Sequence, residues 1–323
     1  MKRVAKPEGE YNIVIEEVPV PEISETEVLI RAERTLISRG SEIWRRYIRP
    51  EAIDHQMMGY SLAGTVVAVG TQVENFSPGD RVAAVAPHAE YVSVEVVQPR
   101  YRPPVVQLPD GVSMEAATFW PLGTSSVLWM WETGATAEDT MVILGQGLVG
   151  SGCMQAVKGD THPRVIAVDA LPLRCDLARR LGADAVVDAS REHPVEAVHK
   201  LTDGRGADIV VEAVGGRDGP NAFKQAQDMV RRGGLIQVIG LYEGEPLPLD
   251  SGKIQGKRLV GGYLDGSRRS EGSDQALRLL AEGKVRAEEM ITNRFPFEEA
   301  AEAFDLLYTR LGETMGVVLM WEG

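Results

Sequence analysis

Val142-Ile143-Leu144-Gly145-Gln146-Gly147-Leu148-Val149-Gly150 decides how this chain folds. An apolar run breaks into Gly-x-Gly-x-x-Gly, and helical spacing follows from Val149 to Val157. A second apolar run, Val165-Ile166-Ala167-Val168, ends on Asp169, nineteen residues after Gly150. Strand, glycine turn, helix, strand and an acid at this distance is the order of a dinucleotide-binding unit. Gly145 permits the tight turn, Gly147 admits a pyrophosphate to the backbone, and Gly150 lets the helix pack on the strand. Leu148 and Val149 open the helix, where N–H groups lack intrahelical partners and face phosphate oxygens. Asp169 is expected to accept the adenosine ribose hydroxyls and to repel a 2′-phosphate, favouring NAD(H) over NADP(H). Arg164 and Arg174 lie nearby in sequence and soften that preference. A glycine triplet alone also fits a strand-loop-helix turn without a ligand. The flanking strand and helix, with Asp169, carry the cofactor reading.

Outward from this unit, strands and helices alternate. Strand segments are expected at 141–144, 165–168, 185–187, 209–214, 235–239 and 258–261. Helices are expected at 149–157, 173–181, 194–201, 221–229 and 272–282. Such alternation implies a doubly wound parallel sheet, an α/β Rossmann domain. Upstream, 11–15, 27–32, 60–69, 82–83 and 89–94 are short strands punctuated by Gly and Pro, the pattern of a compact barrel. Residues 112–133 are helical in character. A helix at 299–307 and a closing strand at 317–321 follow the sheet domain and are expected to return to the barrel. The expected division is therefore 1–121 with 291–323 for the barrel domain, and 122–290 for the dinucleotide domain.

Composition excludes several classes. The chain has 323 residues, 44% of them hydrophobic and 25% charged, ordinary for a globular protein of two domains. A net charge of −13 does not attract nucleic acid or an anionic membrane. Cys153 and Cys175 alone cannot form a disulfide framework or a cysteine-rich metal site. No apolar run approaches the ~20 residues of a membrane span, and no signal peptide is evident, so a cytoplasmic location is expected.

Further segments resemble the medium-chain dehydrogenase/reductase family over nearly the whole chain. They are Gly64-Thr65-Val66-Val67-Ala68-Val69-Gly70 followed by Pro78-Gly79-Asp80-Arg81-Val82, then Val210-Val211-Glu212-Ala213-Val214-Gly215. Gly233-Gly234-Leu235-Ile236-Gln237-Val238-Ile239-Gly240 and Ile291-Thr292-Asn293-Arg294-Phe295-Pro296-Phe297-Glu298-Glu299-Ala300 complete the set. The resemblance implies a GroES-like barrel joined to a Rossmann domain, an active site in the cleft between them, and a dimer or tetramer acting on a small molecule. It also implies that Thr124 lies near the nicotinamide carboxamide, and that Gly215, Leu241 and Tyr242 border the nicotinamide.

Zinc-using members of the family carry ligands at three motifs. Here those motifs read Arg39-Gly40-Ser41-Glu42, Gly59-Tyr60-Ser61 and Trp120-Pro121. The ligand positions become Arg39, Tyr60, Ser61 and Trp120, although a catalytic zinc needs about three Cys, His or carboxylate ligands. The four-cysteine structural zinc lobe is missing as well. Zinc is not expected; Glu42, His55 and His88 are the remaining donors of the barrel segment. The first two motifs also resemble a branch that includes bacteriochlorophyllide dehydrogenase-like proteins, with Ser61 in place of its Glu.

Ketone reduction builds negative charge on oxygen, and without a metal a hydrogen-bond donor must meet it. Tyr60 is the first candidate, Arg39 its neighbouring cation, and Ser41 a proton relay. Both Tyr60 and Ser41 also fit a bland role, filling the vacated pocket. Trp44, Tyr47, Trp120 and Tyr263 are expected to line an apolar substrate pocket, and Arg45, Arg46 and Arg49 a solvated basic surface or an anion site. The leading expectation is a zinc-independent NAD(H)-dependent oxidoreductase of ketones and secondary alcohols. A quinone or enone reductase, and a non-catalytic NAD(H)-binding redox sensor, are the alternatives.

Overall fold

The computed structural model describes residues 1–99, 103–241, 246–262 and 264–321. β1 (Lys2–Ala5) pairs antiparallel with β2 (Val14–Glu17). The barrel continues with β3 (Glu27–Ile37), β4 (Leu62–Val69), β5 (Arg81–Ala84), β6 (Tyr91–Glu95) and β7 (Val105–Gln107). β3 organises it. Val28, Ile30 and Ala32 alternate inward while Arg31 is exposed, the period of two that a half-buried strand requires. One edge of β3 pairs with β4, and residues 27–31 of the other edge pair with β6.

Two helices follow, α1 (Met114–Ala117) and α2 (Trp120–Thr133). Next come β8 (Thr140–Leu144), α3 (Leu148–Asp160), β9 (Arg164–Asp169), α4 (Pro172–Arg180) and β10 (Ala185–Asp188). Then come α5 (Pro194–Leu201), β11 (Ala207–Glu212), α6 (Gly219–Met229), β12 (Val230–Val238) and β13 (Arg258–Gly261). The order across this sheet is β10-β9-β8-β11-β12-β13, every pairing parallel. Succession reverses between β8 and β11, the switch point where doubly wound sheets bind ligands. The chain ends with α7 (Arg269–Ala281), β14 (Ile291–Pro296), α8 (Ala300–Thr309) and β15 (Gly316–Met320). β15 pairs with β14 and takes residues 34–37 of β3, so the tail does return to the barrel.

Internal contacts divide the chain into two units. One is Met1–Thr124 with Ser267–Gly283 and Ala287–Gly323; the other is Ser125–Gly266 with Lys284–Arg286. Contacts thus group α7 with the barrel residues. Each unit has its own buried core. The barrel core includes Ile30, Ile37, Met58, Leu62, Phe304 and Leu319; the sheet core includes Val142, Ile166, Val210, Phe223 and Ile236.

Three differences from the sequence expectation have local causes. Tyr11 has φ +59 and ends a turn, so β2 begins at Val14 rather than at Tyr11. β1, β7 and β14 escape a pattern reading: β1 and β7 have four and three residues, and β14 carries Asn, Arg and Pro. Arg39–Tyr47 forms a nine-residue π-helix where the sequence carries only one short motif and a cluster of arginines. Among the described residues no helix is long and apolar enough to cross a membrane.

Candidate active site

The glycine turn behaves as its residue types demand. Gly145 has φ +87, and its N–H donates to the Val168 carbonyl at 2.8 Å, tying the turn to β9. A Cβ on Gly150 would stand 1.8 Å from the Gly145 oxygen, so only glycine permits this helix–strand approach. Above Gly147 the nearest atom to such a carbon is Arg174 Nη1 at 3.8 Å, which leaves the backbone open. Gly147 caps α3 without a side-chain hydrogen bond, and Leu148 and Val149 are its first residues. Asp169, 8% exposed, clamps the turn: Oδ2 accepts the Gln146 N–H at 2.7 Å, and Oδ1 accepts the Leu171 N–H at 2.9 Å. Arg174 Nη1 lies 3.7 Å from Oδ2. Arg174 Nε and Gln146 Oε1 are buried and make no hydrogen bond among the described residues. Unspent polar groups beside an open glycine cradle fit a dinucleotide.

At the switch point the Gly216 N–H donates to the Leu241 carbonyl at 2.9 Å, which joins the segments carrying Gly215 and Leu241. Tyr242 and Tyr263 lie outside the described residues. Thr124 is buried within α2, where its hydroxyl donates to the Trp120 carbonyl at 2.9 Å; it does not cap the helix start.

The barrel unit assembles a different cluster around the π-helix. Ser38 caps that helix by accepting the Ser41 N–H at 3.4 Å, and Glu42 Oε2 returns the favour by accepting the Ser38 N–H at 2.7 Å. The other Glu42 oxygen meets His88 Nε2 at 2.8 Å, and neither side chain is exposed. The Tyr60 hydroxyl donates to Ser38 Oγ at 3.2 Å. Burial pushes the Tyr60 phenol above its ordinary range; its bond to Ser38 opposes this, the Glu42 charge adds to it, and the Arg46 cation opposes it. The Arg46 charge is thus felt at the phenol. Arg39 instead lies over the Trp44 ring, 5.6 Å from its centre; these residues are five apart, the spacing that a π-turn stacks. Ser41 supplies its backbone N–H to the cap, and its hydroxyl bonds to none of the described residues.

Tyr47 and Trp120 do not line a pocket. Tyr47 packs in the barrel core among Tyr11, Phe304 and Tyr308. Trp120 is buried with Nε1 donating to Ser273 Oγ at 2.9 Å, a partner that lets an indole go fully inside. Trp44 is partly buried, edge-on to Tyr308. Both cysteines are buried, which pushes their thiols up to about 12 at Cys153 and about 11 at Cys175 and keeps them from acting as thiolates.

The donors at the family's zinc positions do not fit the metal. Arginine and tryptophan offer no lone pair, and the buried Ser61 hydroxyl donates to the Thr118 carbonyl. His88 and Glu42 are spent on one another, and His55 sits in an exposed turn beside Asp54. Sequence reasoning missed Ser38, the partner of His88 and the unpartnered state of Arg46. Ser38, ahead of the helical segment, was a readable N-cap residue type; the pairing of Glu42 with His88, 46 residues away, had no signal.

Two family models match the chain. Residues 24–101 match the alcohol dehydrogenase GroES-like domain, and residues 149–282 match the zinc-binding dehydrogenase domain. The chain belongs to the zinc-type alcohol dehydrogenase-like medium-chain dehydrogenase/reductases. It is a nicotinamide-dependent dehydrogenase/reductase. An L-threonine 3-dehydrogenase of Bacillus licheniformis is 29% identical over 99% of both chains. A sorbitol dehydrogenase of Bacillus subtilis is 27% identical over 91% of this chain and 90% of its own. Among solved structures, galactitol-1-phosphate dehydrogenase from Escherichia coli shares the fold, with a TM-score of 0.85, 22% identity, and coverage of 99% of this chain and 100% of that one. Within this dehydrogenase family the chain carries the glycine turn and the acid of a dinucleotide cradle.

Proposed function

We propose that the chain is a zinc-independent, NAD(H)-dependent oxidoreductase that moves hydride between the nicotinamide and a ketone or secondary alcohol. The observation that carries this reading is Tyr60: a partly buried phenol, hydrogen-bonded to Ser38 and within the field of Arg46, at a position where the family resemblance implies a zinc ligand in zinc-using members. The threonine and sorbitol dehydrogenases it resembles are named for alcohol substrates.

The bound nicotinamide would supply or accept the hydride. The turn Gly145–Gly150, with the first N–H groups of Leu148 and Val149, would hold the pyrophosphate, and Asp169 and Arg174 the adenosine ribose. Thr124, Gly215, Leu241 and Tyr242 are assigned to the nicotinamide end. In reduction, the Tyr60 hydroxyl donates to the oxygen on which charge develops. Arg46 stabilises the phenolate left behind, Arg39 keeps the helix face positive, and Ser41 and Ser38 are the hydroxyls through which the proton is restored. In this reading residues 122–290 serve the nucleotide and residues 1–121 with 291–323 the substrate. In this reading the enzyme works in the cytoplasm as a homo-oligomer, the first expected from the lack of an apolar span in the sequence and the second implied by the family resemblance.

Incubation of the metal-analysed protein with NADH and a panel of ketones, enones and quinones tests the proposal. Ketone turnover without stoichiometric zinc is the expected result. Oxidation of NADH by quinones or enones alone, NADH binding with no turnover, or a tightly held transition metal would each overturn it. Asp169→Ser tests the coenzyme assignment. The preference for NADH over NADPH should fall about tenfold or more, as ~1.4 kcal/mol of discrimination is lost. An unchanged ratio of dissociation constants would refute it.

A further inference from the structure

We infer that the substrate carries an anionic group, a carboxylate or phosphate, and that Arg46 receives it; this rests on Tyr60 being the proton donor. The segment 39–49 holds four arginines against one carboxylate in a chain whose net charge is −13. That carboxylate, Glu42, is committed. One oxygen takes the Ser38 N–H and the other takes His88, so it feels Arg46 through space but makes no ion pair with it.

Arg46 is what remains. The side chain is half-buried, its Nη1 is wholly shielded from solvent, and it makes no hydrogen bond or ion pair among the described residues. A guanidinium carries five donors and stays charged at any working pH. Buried donors are satisfied by protein, water or ligand, and an orphaned one marks a place where a partner is due. The planar fork suits a carboxylate or phosphate, which it grips through two parallel hydrogen bonds. Its other charged neighbours on this segment are of the right kind. Arg45 and Arg49 are exposed, so both add positive field without competing for an anion as acceptors would. Tyr60 is near enough for its phenol to feel the Arg46 charge. One substrate can therefore place its anionic group on Arg46 and a carbinol or carbonyl oxygen at Tyr60.

The test uses matched pairs with NAD: a hydroxy acid and its methyl ester, a polyol phosphate and the free polyol. The native protein should favour the charged member of one pair by about tenfold or more in kcat/KM, and the pair that responds distinguishes carboxylate from phosphate. Arg46→Gln should bring that ratio to within about twofold, and Arg46→Lys, which keeps the charge and the packing, should retain part of it. A second measurement needs no turnover. Inorganic phosphate or acetate should raise the melting temperature of the native protein with NAD bound, and should do so less for Arg46→Gln. Equal use of charged and neutral partners would overturn the inference and leave the dehydrogenase reading standing. If no alcohol is oxidised, that reading fails, and the melting shifts decide this one alone: identical shifts, or none, in native and Arg46→Gln overturn it.

Discussion

Tyr60→Phe lowers kcat for ketone reduction by about 10²- to 10⁴-fold, the usual worth of a positioned general acid, or roughly 3–5 kcal/mol of barrier. The substitution keeps the ring and its packing and removes one oxygen. Ser38 Oγ retains the Ser41 N–H, so the π-helix keeps its cap. The dissociation constant of NADH, read by fluorescence titration, should change little. The pH profile follows from the raised phenol pKa, whose leading cause is burial. Only the protonated phenol can donate. A pKa above the ordinary ~10 keeps it protonated throughout the neutral range, so reduction is flat there and declines only in strong alkali. Oxidation of the alcohol needs the deprotonated form and therefore rises with pH. Both dependences should flatten in the Phe variant. A kcat within twofold of native would reduce Tyr60 to a filler of the pocket.

His88→Ala carries the largest expected loss of stability. The substitution leaves one oxygen of the fully buried Glu42 side chain without its partner, a change that costs about 1–3 kcal/mol, and more where that oxygen carries charge. Urea unfolding followed by tryptophan fluorescence reads this as a lower midpoint. Glu42→Gln keeps an oxygen for the Ser38 N–H while removing the charge, and should cost less. Combining the two changes should cost less than their sum, because the stranded charge is gone in the double variant. Strict additivity, or a His88→Ala midpoint equal to native, would mean that the two groups do not interact. Because Glu42 braces Ser38 and Ser38 holds Tyr60, the folded fraction of His88→Ala should also turn over more slowly.

The dinucleotide cradle was legible because its constraints are local. Gly145 needs a positive φ, Gly150 needs the absence of a Cβ, and both are written within six residues. The parallel sheet was legible for a related reason: its strands are short apolar runs, and α5 fell on its expected residues, 194–201. The barrel site was only half readable. Family resemblance directed attention to Tyr60 and Arg39, whereas Arg46, whose charge the phenol feels, stood out only as one of a cluster of arginines in a segment that folds as a π-helix. Composition cannot announce that turn. Nor can it pair His88 with Glu42, since His88 is placed by backbone bonds to Val4 and Met58, far from it in sequence. Trp120 and Tyr47 looked like pocket residues for a similar reason, as aromatic type says nothing of which side of the wall a ring occupies.

The position of β15 has a consequence for biosynthesis. This strand sits between β14 and β3, so part of the β3 edge stays unpaired until residues 316–320 leave the ribosome. The nucleotide unit is almost contiguous, from Ser125 to Gly266, and can complete its sheet well before synthesis ends. The nascent barrel meanwhile waits with an open strand edge of the kind that invites mispairing with a neighbouring chain. Premature termination shortly before Gly316 would therefore yield a polypeptide with a sound coenzyme half and a sticky, protease-sensitive remainder.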